Sequence, residues 1–229
     1  MKKRVVVLSL GGSLIIPDQI DTKFLKKFKK IIKKNTKKYK FAIACGGGNV
    51  ARKYMSALKK EGSSFKLQSF SGISATRMNA RFMTHFFGFD SEYGIPHNLE
   101  SVKKYLKKRD IVFFGGLEYR ANQTSDSTAA QVAKVFKSSF INLTNVQGLY
   151  DKNPSKFKNA KFISKISWTE FDKMIQKLKF HPGQHFILDQ TASKIIKKHK
   201  IPTYIIGQNL KNLDLVLRGE KFKGTLIKG

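Results

Sequence analysis

Three glycine-rich stretches each follow an apolar run, and residues of this type in this position suit the binding of phosphate groups. They are Gly11 and Gly12 with Ser13, the run Gly46 to Gly48, and the pair Gly115 and Gly116. Ordered glycine costs backbone entropy, so these runs indicate a backbone that passes close to a ligand or adopts positive φ. Exposed backbone N–H groups and helix N-termini bind phosphate oxygens. Arg52 follows the second run and adds a guanidinium that can reach the same phosphates.

The two common phosphate-binding fingerprints are absent from the sequence. It contains no G-x-x-x-x-G-K-[ST], and no G-x-G-x-x-G follows the first apolar run. These patterns identify P-loop enzymes and dinucleotide-binding folds. The phosphate site is therefore expected to be of another type.

The elements that must position these glycines follow the pattern of an α/β sheet. Apolar runs bounded by turn residues predict strands at 5–10, 41–44, 111–114, 140–143 and 203–206. The intervening segments predict helices at 21–34, 49–61, 71–87, 125–136, 168–178 and 189–198. Strands that alternate with helices are typical of a mainly parallel sheet covered on both faces. Because ligands bind beyond the carboxyl ends of such strands, we expect the glycine runs to meet at one edge.

Composition predicts a globular protein. Of the 229 residues 41% are hydrophobic, and no uninterrupted apolar run reaches the length of about 18 residues that a membrane span needs. The N-terminal apolar segment is too short for a signal peptide, so we expect a cytoplasmic location. The single cysteine, Cys45, excludes an internal disulfide and a zinc cluster. We expect Cys45 to be a small buried residue, with a reactive thiol as the alternative.

The formal net charge of +30 favours polyanionic partners. Most of this charge comes from lysine, which is densest on the outer face of the helix predicted at 21–34. The sequence shows no nucleic-acid-binding module with arginine forks and exposed stacking aromatics. We therefore expect non-specific nucleic-acid binding at low salt and no sequence-specific function of that kind.

Four motifs in order, "LSLGGS", "CGGGNVARKY", "TSDSTAA" and "TNVQGLYDKNP", resemble the amino acid kinase superfamily and, within it, archaeal uridylate kinases. The segments "SGISATRMNA", "LDQTASKII" and "GTLIKG" extend the resemblance over nearly the whole chain. It implies a three-layer α/β/α sandwich with a mainly parallel central sheet. It also implies transfer of the γ-phosphoryl group of ATP to UMP with Mg²⁺, in a homo-oligomer that is a hexamer or a dimer. Residues 1–229 would form one domain, with an acceptor-binding lobe at 1–143 and an ATP-binding lobe at 144–229.

The resemblance also implies roles for individual residues. ATP would be held by Gly11, Gly12, Ser13, Gly48, Arg52, Thr144, Asn145, Tyr150 and Asn153. The acceptor would be held by Gly47, Ser69, Gln123, Thr124 and Ser125. Asp126 and Arg52 would be catalytic, with Asp126 orienting the water ligands of Mg²⁺ or a lysine, and no residue is assigned as a dedicated metal ligand. Phosphoryl transfer needs little beyond such positioning and charge neutralisation.

Several of these residues have ordinary structural explanations that remain open. Asp126 is also what the first turn of a helix favours, and Thr124 and Ser125 are typical helix caps. Tyr150 offers a flat face to adenine, or it packs within its own loop.

Departures from the family pattern fall close to the expected site. Ser69 replaces an aspartate that holds the ribose hydroxyls, and the loop 117–125 lacks the usual Pro-Gly and is longer. Gln147 and Asn153 replace aspartates near the expected ATP site, and Ser9 stands where many superfamily members have a lysine. These changes keep two alternatives open. One is an enzyme of this fold that phosphorylates another small acceptor, and the other is a degenerate, non-catalytic binder of nucleotide or nucleic acid.

Overall fold

The structure is a computed structural model that describes residues 3–91, 94–121, 123–152, 154, 157–177 and 188–229. In chain order its elements are β1 (Arg4–Leu10), α1 (Gly12–Ile15), α2 (Thr22–Asn35), β2 (Tyr39–Cys45), α3 (Gly48–Lys60), α4 (Phe65–Phe86), α5 (Leu99–Lys108), β3 (Ile111–Phe114), α6 (Ser125–Phe136), β4 (Phe140–Leu143), β5 (Leu149–Tyr150), β6 (Phe162–Ile163), β7 (Lys165–Ile166), α7 (Trp168–Gln176), α8 (Gln190–Lys198), β8 (Thr203–Ile206), α9 (Leu210–Arg218) and β9 (Thr225–Ile227). Within these ranges, no helix is long and apolar enough to cross a membrane.

A seven-stranded sheet forms the centre of the molecule, in the order β3-β2-β1-β4-β8-β9-β7. All neighbouring pairs are parallel except β8 and β9, which are antiparallel. Register is shared across the middle strands, where Leu8 pairs with Ile43 on one side and with Ile141 on the other. The predicted mainly parallel sheet is confirmed. A separate antiparallel pair, β5 and β6, lies outside it.

Helices cover both faces of the sheet, and each face has its own apolar core. On one face α2, α4 and α9 contribute buried side chains such as Phe28, Met83 and Leu213. On the other face α5, α6, α7 and α8 do the same, for example with Val132 and Phe171. Adjacent strand residues point to opposite faces, so strands buried on both sides read as continuous apolar runs. The predicted three-layer α/β/α sandwich is confirmed.

Some elements differ from the prediction. Helix α4 begins at Phe65, not at residue 71, because Ser64 caps it by accepting a hydrogen bond from the Leu67 backbone N–H at 3.4 Å. Helices α5 and α9 and strand β9 were not predicted. The α5 sequence, LESVKKYLKK, buries only Val102 and Leu106, so too few apolar residues recur at helical spacing to predict a helix. The predicted C-terminal end of α7, at residue 178, lies outside the described residues.

Candidate active site

The glycine runs meet at the carboxyl edge of the sheet. The Gly46 N–H donates to the Leu10 carbonyl at 2.9 Å, and the Gly11 N–H donates to the Leu143 carbonyl at 2.9 Å. These bonds extend the parallel pairing past the strand ends and hold the loops after β1 and β2 side by side. Together with the loop after β3 and the start of α6, they line a cleft of about 240 Å³.

Two of the glycines are required by a close approach between these loops. A Cβ atom on Gly12 would lie 2.0 Å from the Gly48 backbone nitrogen, and Gly48 has a φ of +62°. A side chain at Gly12 therefore cannot be accommodated without moving the backbone, and Gly48 adopts a conformation that other residues avoid. The loops after β1 and β2 form one continuous floor for the cleft.

Most of the residues predicted for the site line this cleft: Gly11, Gly12, Ser13, Gly47, Gly48, Arg52, Ser69, Gln123, Thr124, Ser125, Asp126 and Thr144. Two other described residues do not. Asn145 accepts a hydrogen bond from the Thr144 hydroxyl at 3.3 Å, and neither Asn145 nor Tyr150 lines the cleft. The Tyr150 ring packs edge-on against Phe162, with centroids 5.3 Å apart, which favours its packing explanation. Asn153 lies outside the described residues.

Asp126 stands in the first turn of α6 and faces the cleft. Thr124 is the N-cap of this helix, and its hydroxyl oxygen accepts from the Asp126 N–H at 3.1 Å. The Asp126 carboxylate accepts a hydrogen bond from the Ser9 hydroxyl at 2.6 Å. Ser9 is buried on β1, so a side chain of the central sheet anchors the cleft carboxylate.

Burial raises the pKa of the Asp126 carboxyl from its ordinary value of 3.8 to about 7. The hydrogen bond from Ser9 lowers this pKa, and the nearby charge of Asp189 raises it. Asp126 keeps a part of its surface open to the cleft, but its carboxylate is surrounded by protein. The pKa of Asp189 is also raised by burial, against hydrogen bonds that lower it.

Asp189 is a cleft residue that the sequence analysis did not identify. It is 1% exposed and caps α8, with one carboxylate oxygen accepting from the Ala192 N–H at 2.8 Å. The other oxygen accepts from the Thr124 hydroxyl at 2.5 Å and from the Ser127 N–H at 3.1 Å. In the sequence this aspartate predicts only a helix start. Its position in the segment "LDQTASKII", which shares the family resemblance, is the signal that could have identified it.

Arg52 supplies positive charge to the cleft from the second turn of α3, where it is half-buried. In the described part of the chain, no lysine or arginine forms an ion pair with Asp126 or Asp189. The same residues contain no group of three or more His, Cys, Asp or Glu side chains that could hold a metal ion. Asp126, a cleft carboxylate without a cationic partner among the described residues, fits the water ligands of Mg²⁺, which binds through one or two carboxylates together with waters and substrate phosphates.

The side of the cleft towards α4 is lined by aromatic and neutral residues and by one exposed ion pair. The Ser69 hydroxyl donates to the Phe65 carbonyl at 2.9 Å, so its proton is already used within the helix. Tyr119 packs against Phe70 with ring centroids 5.2 Å apart. Beside them, Arg120 lies 3.5 Å from the Glu118 carboxylate in an exposed ion pair. The Ser69 hydroxyl oxygen can therefore only accept a hydrogen bond from a ligand hydroxyl.

Comparison with known proteins places this geometry in a family. The uridylate kinase of Thermoplasma acidophilum is 32% identical over 223 residues, which cover 97% of this chain and 96% of that protein. The crystal structure of uridylate kinase from Archaeoglobus fulgidus superposes with a TM-score of 0.82 at 30% identity, covering 97% of this chain and 99% of that one. UMP kinase from Ureaplasma parvum, at 22% identity and a TM-score of 0.78, shares the fold over 100% of both chains. The sequence profile described as "Amino acid kinase family" matches residues 4–207, and the chain belongs to that family.

Proposed function

We propose that the protein is a nucleoside monophosphate kinase that transfers the γ-phosphoryl group of ATP to UMP and forms UDP. The observation that carries the proposal is the cleft, on which two glycine loops and the N-terminus of α6 converge. This arrangement occurs in a chain that matches curated uridylate kinases over 97% of its length. Two phosphate-bearing substrates need such a surface, because backbone N–H groups and helix N-termini bind phosphate oxygens.

ATP binds, in this proposal, along the loop after β1 and the start of α3. Gly11, Gly12, Ser13 and Gly48 present backbone to the phosphates, and Thr144 lies at the tip of β4 on the same edge. Asn145, Tyr150 and Asn153 would extend this site towards the base and ribose in the lobe 144–229. Support is weaker for Tyr150, whose ring packs against Phe162.

The acceptor occupies the lobe 1–143, between α4 and the N-terminus of α6. Gly47, Gln123, Thr124 and Ser125 line this part of the cleft, with Ser69 on its wall. The N-terminus of the twelve-residue helix α6 favours an anion at this position. The monophosphate group of the acceptor thereby lies next to the ATP phosphates.

Catalysis rests on charge and positioning. The Arg52 guanidinium neutralises negative charge that develops on the transferred group, and Asp126 holds the hydration shell of a cation through a carboxylate fixed by Ser9. Asp126 would hold Mg²⁺ through its water ligands, and the metal, when bound with ATP, would supply neutralisation of the phosphate charge. Thr124, held by Asp189, keeps the first turn of α6 against the acceptor.

A second candidate keeps the chemistry and changes the acceptor. It is favoured by Ser69, whose hydroxyl proton is committed to the Phe65 carbonyl and leaves a weak partner for ribose hydroxyls. Under this alternative the acceptor is a small carboxylate or an alcohol phosphate. A degenerate binder without turnover is the third reading, and a measurable rate excludes it.

Assembly and location complete the proposal. Large apolar side chains are exposed on α3 and α4, namely Tyr54 at 56%, Leu67 at 54% and Met78 at 68%, which supports a homo-oligomer through this surface, either a dimer or a hexamer. The buried free Cys45 needs no oxidising compartment, which supports a cytoplasmic enzyme. The net charge of +30 supports weak, non-specific nucleic-acid binding at low salt.

The test is a panel of acceptors with ATP and Mg²⁺: UMP, CMP, dUMP, dTMP, AMP and GMP, with products separated by chromatography. We expect UDP to form selectively, and the Asp126→Asn variant to serve as the matched low-activity control. Small carboxylates and alcohol phosphates are assayed beside the panel, and turnover of one of them with none of UMP would establish the second candidate. No product from any acceptor would refute the kinase proposal.

A further inference from the structure

One turn of α4 contacts two different loops of the cleft through side-chain hydrogen bonds. Asn79 donates from Nδ2 to the Gly46 carbonyl at 2.7 Å, at the start of the central glycine run. Arg77 donates from Nε to the Gly116 carbonyl at 2.9 Å and from Nη2 to the Leu117 carbonyl at 2.7 Å. The same short segment of α4 therefore holds both the loop after β2, which is part of the cleft floor, and the loop after β3.

Thr76 completes this set between the other two side chains. Its hydroxyl oxygen accepts from the Gly116 N–H at 2.8 Å and its proton goes to the Ile73 carbonyl at 2.6 Å. Thr76 and Asn79 are buried, at 9% and 8% exposure. A Cβ atom on Gly115 would lie 2.5 Å from the Arg77 backbone nitrogen, so the loop after β3 is pressed directly onto the helix. The contacts leave little freedom between helix and loops.

Arg77 donates hydrogen bonds to two backbone carbonyl groups, and burying its charge for this purpose costs desolvation free energy. Within the described residues it forms no ion pair, and it is half-buried. Desolvating a guanidinium without a carboxylate costs free energy that a neutral donor would not. The guanidinium of Arg, however, makes two bonds in fixed directions, and these orient the two successive peptide groups that carry the Gly116 and Leu117 carbonyls.

We propose that Arg77 and Asn79 are positioning residues, with Arg77 orienting the loop that enters the acceptor site and Asn79 fixing the glycine run shared by both substrates. This inference rests on the proposed function, because it assigns the loop from Leu117 to the acceptor. Both side chains project from one 22-residue helix, so α4 sets the separation between the loops. Productive phosphoryl transfer depends on that separation, since the reacting groups must lie in line and close together.

The kinetic test compares Arg77→Gln with Arg81→Gln, which removes an exposed charge one turn later on the same helix and serves as the matched control. We expect Arg77→Gln to raise the KM for UMP by about tenfold to a hundredfold, as losing two charge-assisted hydrogen bonds implies, with the KM for ATP changed less than about twofold. Arg77→Lys, which retains one donor, should recover part of the loss. Asn79→Ala should raise both KM values, because the glycine run serves both substrates. Arg81→Gln should change neither.

Amide hydrogen exchange provides a readout that does not depend on turnover. We expect exchange to rise at residues 115–121 in Arg77→Gln and at 45–49 in Asn79→Ala, with the rest of the sheet protected as in the wild type. If the wild type does not phosphorylate UMP, the proposed function fails, and this localised exchange still decides the positioning role. Equal changes of both KM values in Arg77→Gln, or exchange that rises uniformly across the chain, would show a purely structural role and overturn the inference.

Discussion

Replacing Asp126 with asparagine should stabilise the ligand-free protein at neutral pH while it removes activity. The carboxyl has a pKa of about 7 in the folded protein and 3.8 as its ordinary value. A shift of about three units at 1.36 kcal/mol per unit corresponds to about 4 kcal/mol. This is an upper value, because the side chain keeps part of its surface at the cleft.

The sign follows from proton binding. Between pH 4 and pH 7 the folded protein retains the Asp126 proton that the unfolded chain releases, so the free energy of unfolding falls as the pH rises through this interval. Above pH 7 the loss is complete. The Asn variant cannot titrate at this position, so its stability relative to the wild type should increase by up to about 4 kcal/mol between pH 4 and pH 8. The Asn side chain still accepts the hydrogen bond from Ser9.

The assay is urea unfolding at pH values from 4 to 8, monitored by the fluorescence of Trp168, the single tryptophan. Its indole N–H donates a hydrogen bond to the Ile201 carbonyl, so its emission should report the loss of folded structure. Asp18→Asn, at an exposed acid, is the matched control and should show no such trend. A difference between Asp126→Asn and wild type that stays constant within about 0.5 kcal/mol over this range would refute the reasoning. That outcome would mean that the carboxylate is well solvated in the free protein.

Three further predictions concern the cleft. Arg52→Gln should lower kcat by about a hundredfold with an unchanged unfolding transition, because it removes transition-state charge stabilisation, and steady-state kinetics beside a thermal melt decide this. Ser69→Asp should increase the preference for UMP over dUMP by about tenfold through a charge-assisted bond to the ribose, and an unchanged ratio of kcat/KM would count against that placement of the sugar. Gly12→Ala should destabilise the fold by about 1 to 3 kcal/mol or more, because its Cβ would lie 2.0 Å from the Gly48 nitrogen; a wild-type melting temperature would contradict the close approach.

The sequence was most informative where a local pattern carries the signal. All five predicted strands are present, and β3, β4 and β8 have the predicted bounds. Apolar runs flanked by glycine identify central parallel strands because both faces of such strands are buried. The glycine runs also predicted the convergence at the sheet edge, since parallel strands place their carboxyl ends together.

Features that depend on contacts between residues distant in the chain could not be predicted from local sequence patterns. Arg77 resembles any exposed charge on an amphipathic helix, and its partners lie 39 and 40 residues further along the chain. Asp189 reads as an ordinary helix cap until the fold brings Thr124 within hydrogen-bond distance. Tyr150 is the opposite case, because its residue type suggested a binding role. In the structure its ring packs against Phe162, a contact that the sequence does not reveal.

The bond between Thr124 and Asp189 joins residues separated by 65 positions, and it has a consequence for how the enzyme is made. During synthesis the glycine loops and the first turn of α6 emerge well before Asp189, and chains grow at about 5 to 20 residues per second. A nascent chain that ends before Asp189 lacks the carboxylate that holds Thr124, so the N-cap of α6 is without this anchor. The contact that fixes Thr124 therefore forms only in chains whose translation has passed Asp189.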